Sequence, residues 1–389
     1  MTTSGTHNPA SHPQNEEVRS DQEKIDQKFM RTAIRLARRH EGQTAENPSV
    51  AALVVKYIDH QPVIVGKGVT AIGGRPHAEV EALNEAGTAA KGSHVYVTLE
   101  PCSHFGKTPP CADALINAGV SRVVVAANDP DDRVSGKGFE KLRAAGIEVV
   151  KNLLSQKAEY GLAGYLMRKR NVRPFVTLKM AMTNDGFIGV SDGRQVKITG
   201  PISNGQVQIL RAINDAILVG AGTVENDNPS LNCRLQGLEH RSPIRVVMDR
   251  NLRLSAQSTL VQTAKEHRLI VATRSKSADK NAYLENQVEF IEFSSSESAA
   301  QIKELLEHLA KEQVSTILVE GGAQIASSFL NAGYVDRILI FQSAMNLDVE
   351  DDTLSVKAPI APDNLPQGFK LKNKLTFGTD VMYEYEKSN

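Results

Sequence analysis

The chain has 389 residues, 41% hydrophobic and 23% charged, with 45 basic and 45 acidic side chains and a pI near 7.2. That length suits two domains better than one core, and the balanced charge argues against a protein devoted to nucleic acid, which would carry a basic footprint. Three cysteines make no disulfide framework, no apolar run is long enough to span a membrane, and the N-terminus lacks a signal-peptide segment, so a cytoplasmic protein is expected.

Residues 1–22 are rich in Thr, Ser, His, Asn, Pro and Glu, lack apolar periodicity, and read as a disordered tail. A helix follows, because Ile25, Phe29, Met30, Ala33, Ile34 and Ala37 recur at helical spacing and Arg38, Arg39 and His40 place cations at its C-terminus. Val50–Tyr57 and Val63–Gly66 read as a hairpin. His77 and Glu79 open a helix that ends at Gly87. After a strand at Val95–Leu99, Cys111 begins a helix that stops at Gly119. Ser121–Ala127, Gly138–Ala145 and Ile147–Val150 read as strand, helix and strand, and such alternation implies an α/β sandwich.

Within this half, Pro76-His77-Ala78-Glu79-Val80 and the later segment from Pro101 through Cys102 to Cys111 carry the chemistry. One imidazole and two thiols can occupy three corners of a zinc tetrahedron and leave the fourth for water. Zinc makes hydroxide available near neutral pH. Glu79, two residues after His77 and not needed as a ligand, is the natural proton carrier. The layout follows the H-x-E and P-C-x-x-C signature of zinc deaminases, with eight residues rather than two between the thiols. Gly106, Pro109 and Pro110 in that insert suit a fixed loop. The alternatives are a structural zinc completed by His104 or Cys233, or no site at all; three ligands beside a free carboxylate favour catalysis.

The run Arg168-Lys169-Arg170-Asn171-Val172-Arg173-Pro174 reads as a solvated linker face and sets domains at 23–170 and 171–389. A second α/β unit starts at the strand Phe175–Met180. A helix carries Val207, Leu210 and Ile213 on its apolar face, with Arg211 off it. Strands at Ala216–Val219, Ile244–Met248, Leu269–Ala272, Val288–Ile291 and Thr316–Val319 precede a β-rich end at Arg337–Gln342 and Val381–Tyr385, and Ile302, Leu305, Leu306 and Leu309 stripe a helix. Two strand ends carry glycines: Gly220-Ala221-Gly222 and Glu320-Gly321-Gly322, the latter running into a helix at Ile325–Leu330. Both positions suit a nucleotide or phosphate site, although the usual dinucleotide fingerprint is missing.

The insert from Pro101 to Cys111, together with Asn47-Pro48, Leu178-Lys179, Leu210-Arg211-Ala212, Thr223, Asp227, Leu231, Arg234, Pro243-Ile244-Arg245 and Val319-Glu320-Gly321-Gly322, resembles the bifunctional deaminase/reductase family of riboflavin biosynthesis, from about Ile25 to Tyr385. The resemblance implies a cytidine-deaminase-like α/β/α sandwich followed by a dihydrofolate-reductase-like α/β domain. It also implies zinc-dependent deamination of 2,5-diamino-6-(5-phosphoribosylamino)pyrimidin-4(3H)-one, then reduction of the ribosyl group to ribityl with NADPH. Carried over by position, His77, Cys102 and Cys111 hold Zn2+, Glu79 shuttles protons, and Asn47 and Lys107 contact the phosphoribosylaminopyrimidine substrate. In the reductase, Arg211, Leu231, Arg234 and Glu320 line the substrate and Lys179 polarises the opened sugar. Ala181, Thr199, Thr223, Asp227, Gly322, Ala323 and Gln324 face the cofactor. A homo-oligomer acting on a small molecule, with neither nucleic acid nor membrane as partner, is expected.

The chain departs from the family pattern at several positions. Val50-Ala51 replaces Val-Gly, Val69-Thr70 replaces an aromatic-His pair, Lys197 replaces a Trp, Gln195 replaces a Ser, and Thr183-Asn184 precedes Asp185-Gly186 where Ser-Leu is usual. Losing the Trp removes an aromatic stacking surface. Rival readings are a zinc deaminase of nucleosides or bases whose C-terminal domain is only a binding module, and a non-enzymatic scaffold with structural zinc.

Overall fold

The computed structural model describes residues 21–131, 134–191, 194–275, 280–347 and 355–388. Most of the expected tail lies outside the described residues, and Asp21 and Gln22 already belong to the first helix. The N-terminal half contains α1 (Asp21–Ala37), β1 (Ala51–Ile58), β2 (Gln61–Val69), α2 (Ala78–Ala86), β3 (His94–Leu99), α3 (Cys111–Asn117), β4 (Arg122–Ala127), α4 (Lys137–Ala144), β5 (Glu148–Val150), α5 (Ser155–Gly161) and α6 (Ala163–Asn171). Its five strands lie in the order β2-β1-β3-β4-β5, with β1 antiparallel to both neighbours and β3, β4 and β5 parallel. Every residue of β4 is buried, as expected for a strand covered on both faces. Met30 and Ala33 of α1, Ala82 of α2, Leu115 of α3 and Leu142 of α4 all join its core.

Two glycines of β2 set how close α2 can lie. A Cβ at Gly66 would sit 2.2 Å from the Ala82 carbonyl oxygen, and one at Gly68 only 2.1 Å from that of Ala78. The helix offers Ala78, Ala82 and Ala86 at intervals of one turn. Small residues on both partners therefore seat the helix, with His77 at its N-cap.

The C-terminal half contains β6 (Phe175–Met182), β7 (Phe187–Val190), α7 (Pro201–Ile213), β8 (Ala216–Gly220), α8 (Ala221–Asp227), β9 (Ile244–Met248), α9 (Thr259–Gln262), β10 (Leu269–Thr273), α10 (Asn281–Leu284), β11 (Glu289–Glu292), α11 (Ser298–Lys311), β12 (Thr316–Val319), α12 (Ala323–Asn331), β13 (Arg337–Gln342), β14 (Ser355–Lys357), β15 (Phe369–Phe377) and β16 (Asp380–Lys387). Nine strands form one sheet in the order β11-β10-β9-β8-β12-β6-β13-β16-β15. All its pairings are parallel except those of β16, which is antiparallel to β13 and β15. Two apolar clusters cover the sheet: one gathers Leu305, Leu309 and Phe329, the other Val207, Leu210, Phe341 and Met382.

Three features depart from the sequence reading. The basic run at 168–173 is not a solvated linker. It ends α6, and Arg168 is 8% exposed, hydrogen-bonded to Ser315 and Gln313 across the domain boundary. The glycine turn at 220–222 is the first turn of α8. Strand β15 was missed because it is an edge strand, exposed along most of its length, so no buried face stamps an apolar alternation on it.

A buried ion pair fastens α1 to the sheet. Arg122 donates to both Asp26 oxygens at 2.9 and 2.8 Å, and Tyr96 donates to Asp26 at 2.7 Å. Burial works against the Asp26 carboxylate, yet Arg122, Tyr96 and Gln22 together hold its carboxyl below the usual 3.8. Removing one member of such a pair costs about 3–5 kcal/mol. Arg122→Met is therefore expected to lower the urea midpoint of the N-terminal half markedly. Because the folded value is depressed, the carboxylate's contribution is present above pH 3.8 and is lost as the pH falls through the folded value. The gap between wild type and variant should narrow only in acid; a gap unchanged there would refute the assignment.

Candidate active sites

The first site forms where α2 begins, where the loop leaves β3 and where α3 begins. His77 is the N-cap of α2, Cys102 lies in the loop, and Cys111 is the first residue of α3. His77 Nδ1 lies 3.7 Å from the Cys102 sulfur and 3.3 Å from that of Cys111. Zinc bonds of the usual length in a tetrahedron require edges of about 3.6 Å between nitrogen and sulfur. The three residues thus fit the metal, their ligand atoms all within 4.8 Å of one another, and neither His104 nor Cys233 joins them. The Cys111 backbone N–H donates to the Cys102 sulfur at 3.2 Å. Hydrogen bonds from the Cys111 thiol, His77 and that N–H draw the Cys102 thiol down to about 4, while Cys111, sharing its proton with Cys102, is pushed up.

Glu79, in the first turn of α2, is 4% exposed. Burial, and then the Cys102 thiolate, push its carboxyl up to about 7. A cavity of about 670 Å³ opens onto it, lined also by His77, Cys102, Asn47 and Lys107. Asn47 donates to the Gly74 carbonyl at 3.1 Å, and the largely exposed Lys107 pairs with Glu46 at 3.2 Å. All six N-terminal candidates are therefore brought together.

Sequence reasoning missed several other wall residues. Asp129 accepts from Tyr165, and Asp131 pairs with Lys169. Nothing in the local pattern marks them, because they come from separate loops and helices. Arg75, which also lines the cavity, stands two residues before His77 and could have been noticed by adjacency. Gln313 of the C-terminal half completes the wall.

The second site lies at the carboxyl ends of the central strands β8, β9 and β12. A cavity of about 1000 Å³ there is lined by Arg211, Leu231, Arg234, Thr223, Asp227, Gly322, Ala323 and Gln324. Beside it sits a largely buried charge cluster. Arg211 of α7 donates to Glu320 at 3.0 and 3.4 Å and to the Asn232 carbonyl at 3.3 Å. Lys179 of β6 is only partly accessible, and desolvation, with Arg211 nearby, lowers its pKa despite Glu320. Burial also opposes the Glu320 carboxylate, but Lys179 and Arg211 outweigh it and hold its carboxyl low. Close packing places the Glu320 turn: a Cβ at Gly321 would lie 2.4 Å from the Ile325 Cβ. Gly322 faces open space, its nearest neighbour being Thr223 Oγ1 at 3.9 Å.

Two expected cofactor contacts fall outside this lining. Ala181 packs into the apolar cluster, and Thr199 hydrogen-bonds Asn204 at 3.1 Å, which itself lines the cavity. The departing residues Gln195 and Lys197 do line it, and Gln195 donates to Asp227. The remaining wall fits a phosphorylated dinucleotide: it carries Arg194, Lys197, Arg250 and Arg253, and one oxygen of the buried Asp249 has no partner.

Both halves of the chain match known families. Residues 23–127 match the cytidine and deoxycytidylate deaminase zinc-binding region, and residues 174–347 match the RibD C-terminal domain. The riboflavin biosynthesis protein RibD of Aquifex aeolicus is 39% identical over 317 residues, which covers 82% of this chain and 86% of the relative. The Escherichia coli protein of that name is 36% identical over 327 residues, covering 81% and 87%. Among solved structures, Acinetobacter baumannii RibD superposes with a TM-score of 0.82 at 33% identity over 94% of this chain and all of that one. The Thermotoga maritima deaminase/reductase gives 0.81 at 34% identity over 94% and 99%. At this identity over most of its length, with both halves matched, the chain belongs to the RibD family of bifunctional riboflavin-biosynthesis enzymes, a zinc-dependent deaminase joined to a reductase.

Proposed function

We propose that the N-terminal half deaminates 2,5-diamino-6-(5-phosphoribosylamino)pyrimidin-4(3H)-one and that the C-terminal half reduces the ribosyl group of the product to ribityl with NADPH. The observation that carries the first step is the buried Glu79 beside three convergent ligands with a corner to spare. Zinc, when bound by His77, Cys102 and Cys111, makes hydroxide available near neutral pH. Glu79 takes the proton of the attacking water on its carboxylate and returns it to the departing nitrogen. Asn47 and Lys107 orient the substrate, and Tyr165 and Arg168 form part of the cavity wall around it. Thr70, where the family has His, contributes no free donor, because its hydroxyl donates to the Val50 carbonyl at 3.5 Å while accepting from the Val50 N–H at 3.0 Å.

In the second half NADPH, when bound along Thr223, Asp227 and the Gly322–Gln324 turn, supplies the hydride. Lys179 polarises the carbonyl of the opened sugar and returns a proton to its oxygen. Glu320 offsets part of the burial that lowers the Lys179 pKa and fixes Arg211, while Arg211 and Arg234 offer guanidinium donors to the anionic end of the substrate. The cations Arg194, Lys197, Arg250 and Arg253 meet the cofactor's phosphates.

The decisive experiment supplies the diaminopyrimidine phosphate with NADPH and identifies the product by mass; a product that is deaminated and reduced is expected. Wild type should carry about one zinc per chain, lost in Cys102→Ala. Glu79→Ala should retain the metal yet release ammonia at least about 100-fold more slowly. Undiminished release would remove Glu79 from the mechanism. Separately, Glu320→Ala should slow NADPH oxidation without stopping ammonia release; oxidation at the parent rate would dismiss the reductase assignment.

We further place the enzyme in the cytoplasm as a homo-oligomer with neither nucleic acid nor membrane as partner. No helix among the described residues is long and apolar enough to cross a membrane. The exposed Leu371 and Leu375 on edge strand β15 support self-association. Sedimentation velocity should give a species larger than a monomer, and a monomer across micromolar concentrations would contradict it.

A further inference from the structure

We infer that Arg75 grips the phosphate monoester of the deaminase substrate at the mouth of the zinc cavity, an inference that rests on the deaminase reading above. The pairing of charges in the wall leads to it. Among the described residues, the cavity is lined by four permanent cations: Arg75, Lys107, Arg168 and Lys169. Lys107 has Glu46 at 3.2 Å and Lys169 has Asp131 at 2.9 Å. Arg168 spends its donors on Ser315, Gln313 and the Glu46 carbonyl. Arg75 has neither a carboxylate nor a carbonyl.

Its contacts also define a geometry. Nη1 donates to Thr108 Oγ1 at 2.8 Å and faces His77 Nε2 at 3.3 Å. Nε is buried without any partner, and Nη2 borders Gly106 without a hydrogen bond. Nε–H and an Nη2–H point in parallel from one edge of a guanidinium, the fork that matches two oxygens of a phosphate. Thr108 therefore steadies the group through Nη1, and the two donors of the fork are left without a protein partner. The His104 ring, also close to Gly106, has a buried Nδ1 with no partner and supplies a second polar atom at the same place. Buried donors in native proteins are nearly always satisfied. The partner missing here is an anion carried in by the ligand.

The test uses the zinc-loaded full chain in a Glu79→Gln background, so that binding is read without turnover. Calorimetric titrations compare the phosphorylated pyrimidine with its dephosphorylated riboside. Arg75→Ala is expected to reduce the preference for the phosphorylated compound at least tenfold. Arg75→Lys, which keeps the charge but loses the fork, should recover part of it. Zinc content at the parent level in each variant separates this effect from loss of the site. Inorganic phosphate should displace the phosphorylated pyrimidine from the parent and fail to do so in Arg75→Ala. An unchanged preference, or displacement that survives the substitution, would overturn the inference, as would a parent with no preference for phosphate. A wild-type chain that binds the phosphorylated compound through Arg75 but never releases ammonia would instead sink the deaminase reading and leave this inference standing.

Discussion

The deaminase half depends on how closely one helix can lie against one strand. With a Cβ at Gly66 or Gly68, β2 would push α2 away by the width of a methyl group. His77, as N-cap of α2, would then leave the two sulfurs that Cys102 and Cys111 bring from the other side. A metal site tolerates displacements of a few tenths of an ångström at most. The glycines are thus as much part of the zinc centre as its ligands, although none touches it. Glu79 follows from the same packing: the turn that presents the imidazole at position 77 buries the carboxylate at position 79, and burial moves its protonation toward neutrality.

The reductase half solves a related problem with charge. Burying a lysine or a carboxylate alone is costly, and each normally neutralises instead. Here Lys179, Glu320 and Arg211 sit together beside the cavity, and the central carboxylate faces both cations. A lysine held in such a cluster is weakly solvated and, with burial lowering its pKa, gives up its proton more readily than in water. Both halves therefore place one ionisable group out of water and use its neighbours to set its protonation.

Legibility in the sequence followed the range of the contacts. His77, Glu79, Cys102 and Cys111 were readable because zinc dictates residue types and because two of the four share a helical turn. The strands of the parallel sheet were readable because burial on both faces leaves runs such as Val123-Val124-Val125. Asp129, Tyr165 and Gln313 were not, since each reaches the cavity from an element whose own pattern records only its packing. Strand β15 was lost for the opposite reason: an exposed edge imposes little on its residues. The basic run at 168–173 misled because charge was equated with solvation. Arg168 is buried with its donors spent on neutral oxygens, an arrangement that leaves no trace in local composition.

That arginine bears on why the two activities share a chain. Its guanidinium joins the Glu46 carbonyl, next to Asn47 in the wall of the zinc cavity, to Gln313 and Ser315 at the α11–β12 turn of the C-terminal half. Gln313 itself lines the deaminase cavity. A second tie lies nearby, where Arg337 of β13 packs on the rings of Tyr160 and Phe175, with centroids at 4.1 and 5.1 Å, and Tyr160 donates to Glu384. Interfaces between domains of one chain are commonly loose, but parting these halves would take Ser315 and Gln313 from Arg168 and the Tyr160 ring from Arg337. The reductase half thus acts as part of the scaffold of the deaminase site. Movement at the α11–β12 turn would be felt at Asn47 through a chain of three hydrogen-bonded residues, which is a physical route by which events in one half can reach the other.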